Sequence, residues 1–323
     1  MSEGSTENPE IRSILRNILL FSIALVLPGL QWTLFGWLHM LLPVCVFYLL
    51  GRYGIRSGNR MVLSSLALAL LIYLLARRVD FFLLSVSLLP VSYVLIQSAR
   101  RRESPAISGL KGVLVLAACW ILAFAGLSIG AETSFYAQLL LTLDKGIGEA
   151  LQYYRTSENI SSDSLLLLET TLQQMKVIIP VIMPAMLGSF ILLITWFTMV
   201  SGNKLVTRTC GWAPWEQYRY WQLPDKLIWI VIISGMIILV PTSPMRSFGI
   251  NVLILLSIIY CFQGLSIAVF FLEKWNIPIF FRSFFYIMII FQSFGTVLLL
   301  VVGIGDIWLD FRKLHQKPEE PGD

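Results

Sequence analysis

Charge is what this chain has least of. Only 13% of its 323 residues are Asp, Glu, Lys or Arg, against about a quarter in soluble domains. Hydrophobic residues make up 57% and the mean hydropathy is +0.77, so the polar supply cannot cover a water-facing surface of this size. A soluble enzyme, a disordered chain and a nucleic-acid-binding domain are thereby excluded. Histidine is nearly absent too: His39 and His315 stand alone, with no HExxH or other paired arrangement to hold a metal. The four cysteines, Cys45, Cys119, Cys210 and Cys261, are too scattered for a disulfide framework or a zinc site and read as packing residues. There is no phosphate loop, no GxSxG elbow and no Gly-rich dinucleotide fingerprint. No catalytic residue, metal or cofactor is expected. Carboxylates are missing from the middle of the apolar runs, where a proton-driven transporter more often carries one. Sodium can be held by carbonyls instead, but energy for any transport is expected to come from a partner.

What the chain has is long apolar runs, and these make it an all-α polytopic transmembrane bundle. Crossing a hydrocarbon core of about 30 Å takes roughly 20 apolar residues in a helix. Stretches free of charge cover 17–51, 61–76, 81–99, 112–131, 177–203, 227–245, 247–272 and 283–305. The first is too long for one crossing, and Pro28-Gly29 divides it into a hairpin. The expectation is about 8–9 spans. The chain divides into a polar tail over 1–16, a bundle of about five spans over 17–131, an insert over 132–176, about four spans over 177–305, and a polar tail over 306–323. Arg12 and Arg16 precede the first run, but no small-residue cleavage site follows, so that run reads as an uncleaved helix.

Lys and Arg in the loops set the orientation. A cytoplasmic N-terminus places Arg12, Arg16, Arg52, Arg56, Arg60, Arg100, Arg101, Arg102, Lys111, Lys204, Arg208, Arg219, Lys226, Lys274 and Arg282 inside. An odd number of spans would export Arg312, Lys313 and Lys317. Either one span is re-entrant or the tail breaks the rule.

Two inserts carry amphipathic or aromatic character. In 132–176, Phe135, Tyr136, Leu139, Leu140, Leu143, Ile147, Leu151 and Tyr154 recur at helical spacing, as do Leu165, Leu168, Leu172 and Met175. Ser162, Asp163 or Ser164 is expected to cap the second helix. These helices read as surface connectors, a lid or a partner interface. The loop 202–226 holds Trp212, Trp215, Tyr218, Tyr220 and Trp221 beside Arg219. It reads as an interfacial aromatic belt or as a docking surface for a membrane or cytoplasmic protein.

Polar residues within the runs are few. His39, Asn251, Tyr260, Gln263 and Gln292 are the candidates to line a pocket for a small molecule, with packing as the plainer role for each. Pro180 and Pro184 are expected to bend the 177–203 span, and Pro43 and Pro90 to kink two others. Small-residue stripes occur at Gly126 and Gly130, at Ser257, Cys261, Gly264 and Ala268, and at Ala185, Gly188, Thr195 and Gly202. Gly303-Ile304-Gly305-Asp306 looks like the GxGD signature of intramembrane aspartyl proteases. That chemistry needs a second carboxylate to share a proton, and no other run supplies one. Asp306 and Asp310 are four apart on one helical face and are expected to meet basic loop residues such as Arg100 to Arg102, with Arg312 and Lys313 pinning the last helix. Asp306, Asp310 and Arg312 join the docking candidates.

Three strings, Trp221-Gln222-Leu223-Pro224, Tyr260-Cys261-Phe262-Gln263-Gly264-Leu265 and Gly305-Asp306-Ile307-Trp308-Leu309-Asp310-Phe311-Arg312-Lys313, together resemble the YybS-like family of bacterial polytopic membrane proteins. The resemblance implies a helical bundle in a bacterial plasma membrane and names no activity. In layout the N-terminal half is distantly similar to the S components of energy-coupling-factor vitamin transporters and to MreD-type cell-shape proteins. S components carry an Ala-xxx-Ala docking face on the first helix, whereas Ser22, Ala24 and Val26 stand here. Two functions remain: a solute-binding or transport-associated membrane subunit without its own energy source, or a non-catalytic scaffold of cell-envelope or division machinery.

Overall fold

The computed structural model describes residues 9–128, 133–156 and 161–314; Gly130, Glu132, His315 and Lys317 lie outside them. Every regular element among these residues is helical. Among the described residues six helices are long and apolar enough to cross a membrane, or seven if a pair bent by 99° next to Gln292 counts as one span. Their outward faces carry Leu71, Leu74, Ile121, Leu122, Met245 and Phe248, far more exposed apolar surface than a water-soluble monomer tolerates. The chain is a multi-pass membrane protein.

Hydrogen bonds between helices give the order of crossings. Helix α1, Pro9–Leu30, ends just before Gln31, and a short helix α2, Trp32–Phe35, and a 3-10 turn over Gly36–Met40 reverse the chain. Helix α3, Leu41–Leu75, is two legs joined at Gly54, whose φ of 78° and ψ of 167° break the helix; only glycine takes that conformation at little cost. The legs fold together so closely that a Cβ on Gly58 would lie 2.8 Å from the Leu49 carbonyl oxygen. Asn17 donates to Tyr53 Oη (2.9 Å), whereas the Ser65 and Tyr73 hydroxyls donate to the Ile18 and Leu25 carbonyls (3.0 and 2.7 Å). The first leg therefore runs against α1 and the second runs with it.

Helices α4, Val79–Ser87, and α5, Pro90–Arg100, make the next crossing together. It descends beside the first leg of α3, with Ser92 Oγ donating to the Pro43 carbonyl at 2.6 Å. Pro90 starts α5 rather than kinking it, and Pro43 sits in the first turn of α3. A proline that early forfeits no intrahelical bond, so neither bends its helix. Helix α6, Pro105–Ser128, returns antiparallel to α5, the Ser98 and Ser108 hydroxyls meeting at 2.8 Å.

The insert is a helical hairpin. Helix α7, Phe135–Arg155, is capped by Ser134, whose side chain accepts from Ala137 N–H. Helix α8, Ser162–Cys210, is capped by Ser161, one residue before the three expected candidates, because Ser161 has the extended φ and ψ that a cap needs. Arg155 pairs with Glu169 at 2.6 Å and Lys176 with Asp144 at 2.7 Å, tying α7 to the first third of α8. The remainder of α8 descends through the bundle and stops at Gly211 in the left-handed region, φ 71°. Its small residues serve three neighbours. Gly202 admits the Phe47 ring, Thr195 fits its methyl against Gly112 of α6, and Gly188 meets Leu255 of helix α10, Ser243–Lys274.

Between α8 and α10 runs helix α9, Leu227–Ile238. Its 12 residues span about 18 Å, too short for the crossing expected over 227–245. Helices α11, Ile279–Phe291, and α12, Ser293–Leu309, form the bent pair. It starts beside the end of α10, where Arg219 and Arg282 both reach Glu273 (2.6 and 3.8 Å). It returns to the same end, since Arg312 bonds the carbonyls of Arg219 and Trp221. Trp212 of that loop donates to the Gly51 carbonyl (3.4 Å), beside the start of α1. The span expected over 283–305 is therefore a bent pair rather than one helix, and Arg312 and Lys313 join the basic end that holds the start of α1.

Candidate functional site

Near this basic end α6, α8 and α10 diverge and leave a cleft of about 340 Å³, floored by the chain entering α9. Its walls come from Gly109 and Val113 of α6, Leu192, Thr195 and Met199 of α8, and Ile259, Phe262 and Gln263 of α10. Tyr218, Trp221, Leu223 and Pro224 close its lower edge. The volume lies at the small end of the range for ligand pockets, and the lining is apolar with few polar groups, as such pockets usually are. The Thr195 hydroxyl, on a residue only 1% exposed, is buried without a hydrogen-bond partner.

The loop between α8 and α9 forms this edge because its aromatic rings are turned inward. Rings pack in a chain from α3 to α10: Phe47 stacks on Trp215, Trp215 meets Trp221 edge-on, and Trp221 meets Tyr218. Tyr218 in turn abuts Trp196, which stacks on Phe262 with centroids 4.6 Å apart and planes 7° apart. Such pairs contribute about 0.5–1.5 kcal/mol each beyond their buried area. The Tyr218 hydroxyl donates to the Phe262 carbonyl at 2.5 Å, and burial pushes its ionisation well above the ordinary tyrosine range. Trp215 N–H donates to Asn203 Oδ1 (3.0 Å) and its indole Nε1 to Ser108 Oγ (2.9 Å). The loop is thus a plug, and Trp215, at 5% exposed, has little surface left for a belt or a partner.

Behind the cleft lies a buried ion pair. Arg312 Nη2 donates to Asp306 Oδ2 at 2.9 Å, and Gln263 Nε2 donates to the same oxygen at 2.9 Å. Phe311 N–H donates to Asp306 Oδ1 at 3.1 Å. Arg312 Nη1 reaches the carbonyls of Arg219 (2.7 Å) and Trp221 (3.0 Å) and the Ser266 hydroxyl (2.8 Å). The expected pairing of Asp306 with Arg100 to Arg102 is corrected here. Helix α12 ends at Leu309, and Asp310 takes a left-handed conformation, φ 35°. This turns the chain back, so that a residue six positions after Asp306 reaches its carboxylate. Asp310 itself accepts from Leu314 N–H at 3.1 Å. Three donors thus hold the Asp306 carboxylate in place, and no group of three or more His, Cys, Asp or Glu side chains among the described residues could hold a metal.

Of the ligand candidates, Gln263 alone lies at the cleft. His39 is near the opposite end, where its ring nitrogens meet Gly36 O and Ser85 Oγ at 3.2 Å each and its ring lies 5.2 Å from that of Trp32. Asn251 splints the Pro180–Pro184 region. Its amide donates to the Val181 carbonyl and accepts from Ala185 N–H, both at 2.7 Å, taking up the pair that an unbent helix joins to each other. Tyr260 is buried behind α12, its carbonyl 2.1 Å from where a Cβ on Gly303 would lie, and its hydroxyl has no partner. Gln292 is exposed at the bend between α11 and α12. Of the docking candidates, Trp212, Trp215, Tyr218, Arg219, Trp221, Asp306 and Arg312 are brought together around the plug, and Asp310 forms the turn below them. In the sequence Thr195 stood out only within a small-residue stripe and Phe262 only within one of the three strings, and nothing marked them or Trp196 for a cleft wall.

No curated protein and no solved structure matches the chain. Residues 17–307, nearly the whole described bundle, match the family described as "Predicted membrane protein (DUF2232)", and the chain belongs to that family of membrane proteins.

Proposed function

We propose that the protein is a solute-binding or transport-associated membrane subunit without an energy source of its own, and that its ligand occupies the cleft between α6, α8 and α10. One observation carries this reading: an apolar cleft with an unpaired, buried Thr195 hydroxyl in its wall. The gathering of Lys and Arg at the end holding the start of α1 supports that end being cytoplasmic, and the YybS-like resemblance implies a bacterial plasma membrane. The layout likeness to S components is consistent with a partner that supplies energy.

The test is purification in mild detergent from the native host, with mass spectrometry of bound molecules and co-purifying proteins. Gly109 lines the cleft, and a Cβ there would meet only Met199 Sδ, at an ordinary 3.5 Å, so Gly109→Leu is the substitution chosen to fill the space. A stoichiometric small molecule present in the wild type and absent from Gly109→Leu supports the reading; an empty wild-type cleft refutes it. The scaffold reading rests on a different surface, the α7–α8 hairpin, where Leu141, Tyr153, Leu166 and Leu167 are exposed. Envelope-assembly proteins co-purifying with the wild type, and lost on Leu166→Glu/Leu167→Glu, would favour it.

A further inference from the structure

We infer that the occupant of the cleft is one chain of an anionic membrane lipid that enters sideways from the leaflet at the basic end; this rests on the ligand-binding reading above. The walls are apolar, and the opening lies between two helices whose neighbouring faces are membrane-exposed: Ile107 and Leu110 of α6 and Trp229 and Ile230 of α9. A polar solute would cross hydrocarbon to enter there, whereas a lipid chain is already present. The volume of about 340 Å³ is too small for a whole two-chain lipid and suits part of one chain.

The headgroup preference follows from the rim. Pro105 and Ala106 form one lip, with exposed Arg101 and Arg102 three to four residues before it; Pro224 forms the other, directly before exposed Asp225 and Lys226. Glu103 on the first lip is committed elsewhere, accepting from Lys111 at 2.6 Å and from the Ser98 hydroxyl. Three cations against one free carboxylate favour a phosphate that carries net negative charge over a zwitterionic headgroup. Deeper in, the Thr195 hydroxyl supplies a donor to an ester carbonyl.

The experiment reconstitutes the full chain in vesicles of equimolar phosphatidylglycerol and phosphatidylcholine, then counts retained lipids by native mass spectrometry after detergent extraction. The wild type is expected to keep one phosphatidylglycerol, at least about fivefold in preference to phosphatidylcholine. Gly109→Leu should lose that lipid while Gly109→Ala keeps it. Arg101→Gln/Arg102→Gln/Lys226→Gln should still retain one lipid but with no headgroup preference. Wild-type protein without a retained lipid, retention unchanged in Gly109→Leu, or wild-type indifference to headgroup each overturns the inference. A water-soluble molecule bound in host-purified protein and displaced by Gly109→Leu, with no lipid retained, would overturn the lipid assignment while sparing the cleft as a site; an empty cleft in both preparations would end both.

Discussion

Replacing Arg312 with Met should be the most damaging single change outside a glycine contact. Its guanidinium is wholly enclosed and makes four hydrogen bonds, to Asp306, Ser266 and the carbonyls of Arg219 and Trp221. Removing one member of a buried pair costs about 3–5 kcal/mol, because the other charge is left without compensation. Here Asp306 keeps Gln263 and the Phe311 N–H, which places the cost toward the lower bound; the two carbonyls and Ser266 lose a donor as well. Removing both charges, in Arg312→Met/Asp306→Leu, leaves no stranded ion and should recover part of the loss. The two single changes are then non-additive by about 2 kcal/mol. Reversible unfolding in mixed SDS and mild detergent, followed by tryptophan fluorescence, measures each corner of the cycle. The four free cysteines, all partly buried, give an independent readout through thiol labelling. A loss under about 1 kcal/mol for Arg312→Met, or additivity within about 0.5 kcal/mol, would refute the claim that this pair locks the plug to the last helix.

Gly264→Ala and Gly303→Ala should each prevent normal assembly, since the added Cβ would lie 2.0 Å from the Leu299 carbonyl oxygen and 2.1 Å from that of Tyr260; Gly126→Ala, with open space around it, should be neutral or gain up to about 1 kcal/mol, and size-exclusion profiles and melting curves would show the contrast. Asn251→Leu should cost about 1–3 kcal/mol and speed hydrogen exchange at Ala185, whereas unchanged exchange there would argue against a splint. Glu103 is held below the ordinary carboxylate range by its bonds from Lys111 and Ser98, so its stabilising contribution is present above the unfolded-state value and is lost as pH falls through the lower folded one; Lys111→Gln should flatten that stretch of a stability-against-pH curve. Cysteines introduced at Lys145 and Lys226 should label from opposite sides of sealed vesicles, and labelling from one side would break the order of crossings.

The helical class and the positions of most crossings were legible because each apolar run announces its own burial in lipid. Pro28-Gly29 did not break the first helix, which runs on to Leu30 with the reversal following over 31–40, whereas the two-helix character of the insert showed in the spacing of Ile147, Leu151 and Leu168. What the pattern could not supply was whatever depends on a partner distant in sequence. Asn251 and Gln263 look alike as lone amides in apolar helices, yet one repairs a proline bend and the other binds a carboxylate. The run over 227–245 is apolar enough to cross, but its helix stops at Ile238 because Pro241 and Pro244 follow closely and the chain must turn into α10. Asp306 was expected to meet Arg100 to Arg102, and it pairs with Arg312 instead because Asp310 ends the helix with a left-handed turn. The aromatic loop had the composition of a lipid-facing belt; its inward orientation comes from Asn203, Ser108 and Gly51, none of which signals that role alone.

Helix α8 has 49 residues and a length of about 73 Å at standard rise. Its outer third forms half of the hairpin, and its inner part carries Thr195, Trp196 and Met199 of the cleft wall. Asn251 ties this helix to α10 where Pro180 and Pro184 interrupt its backbone hydrogen bonds. The hairpin on one side of the bundle and the cleft wall toward the other are therefore two parts of one continuous element, joined without an intervening loop.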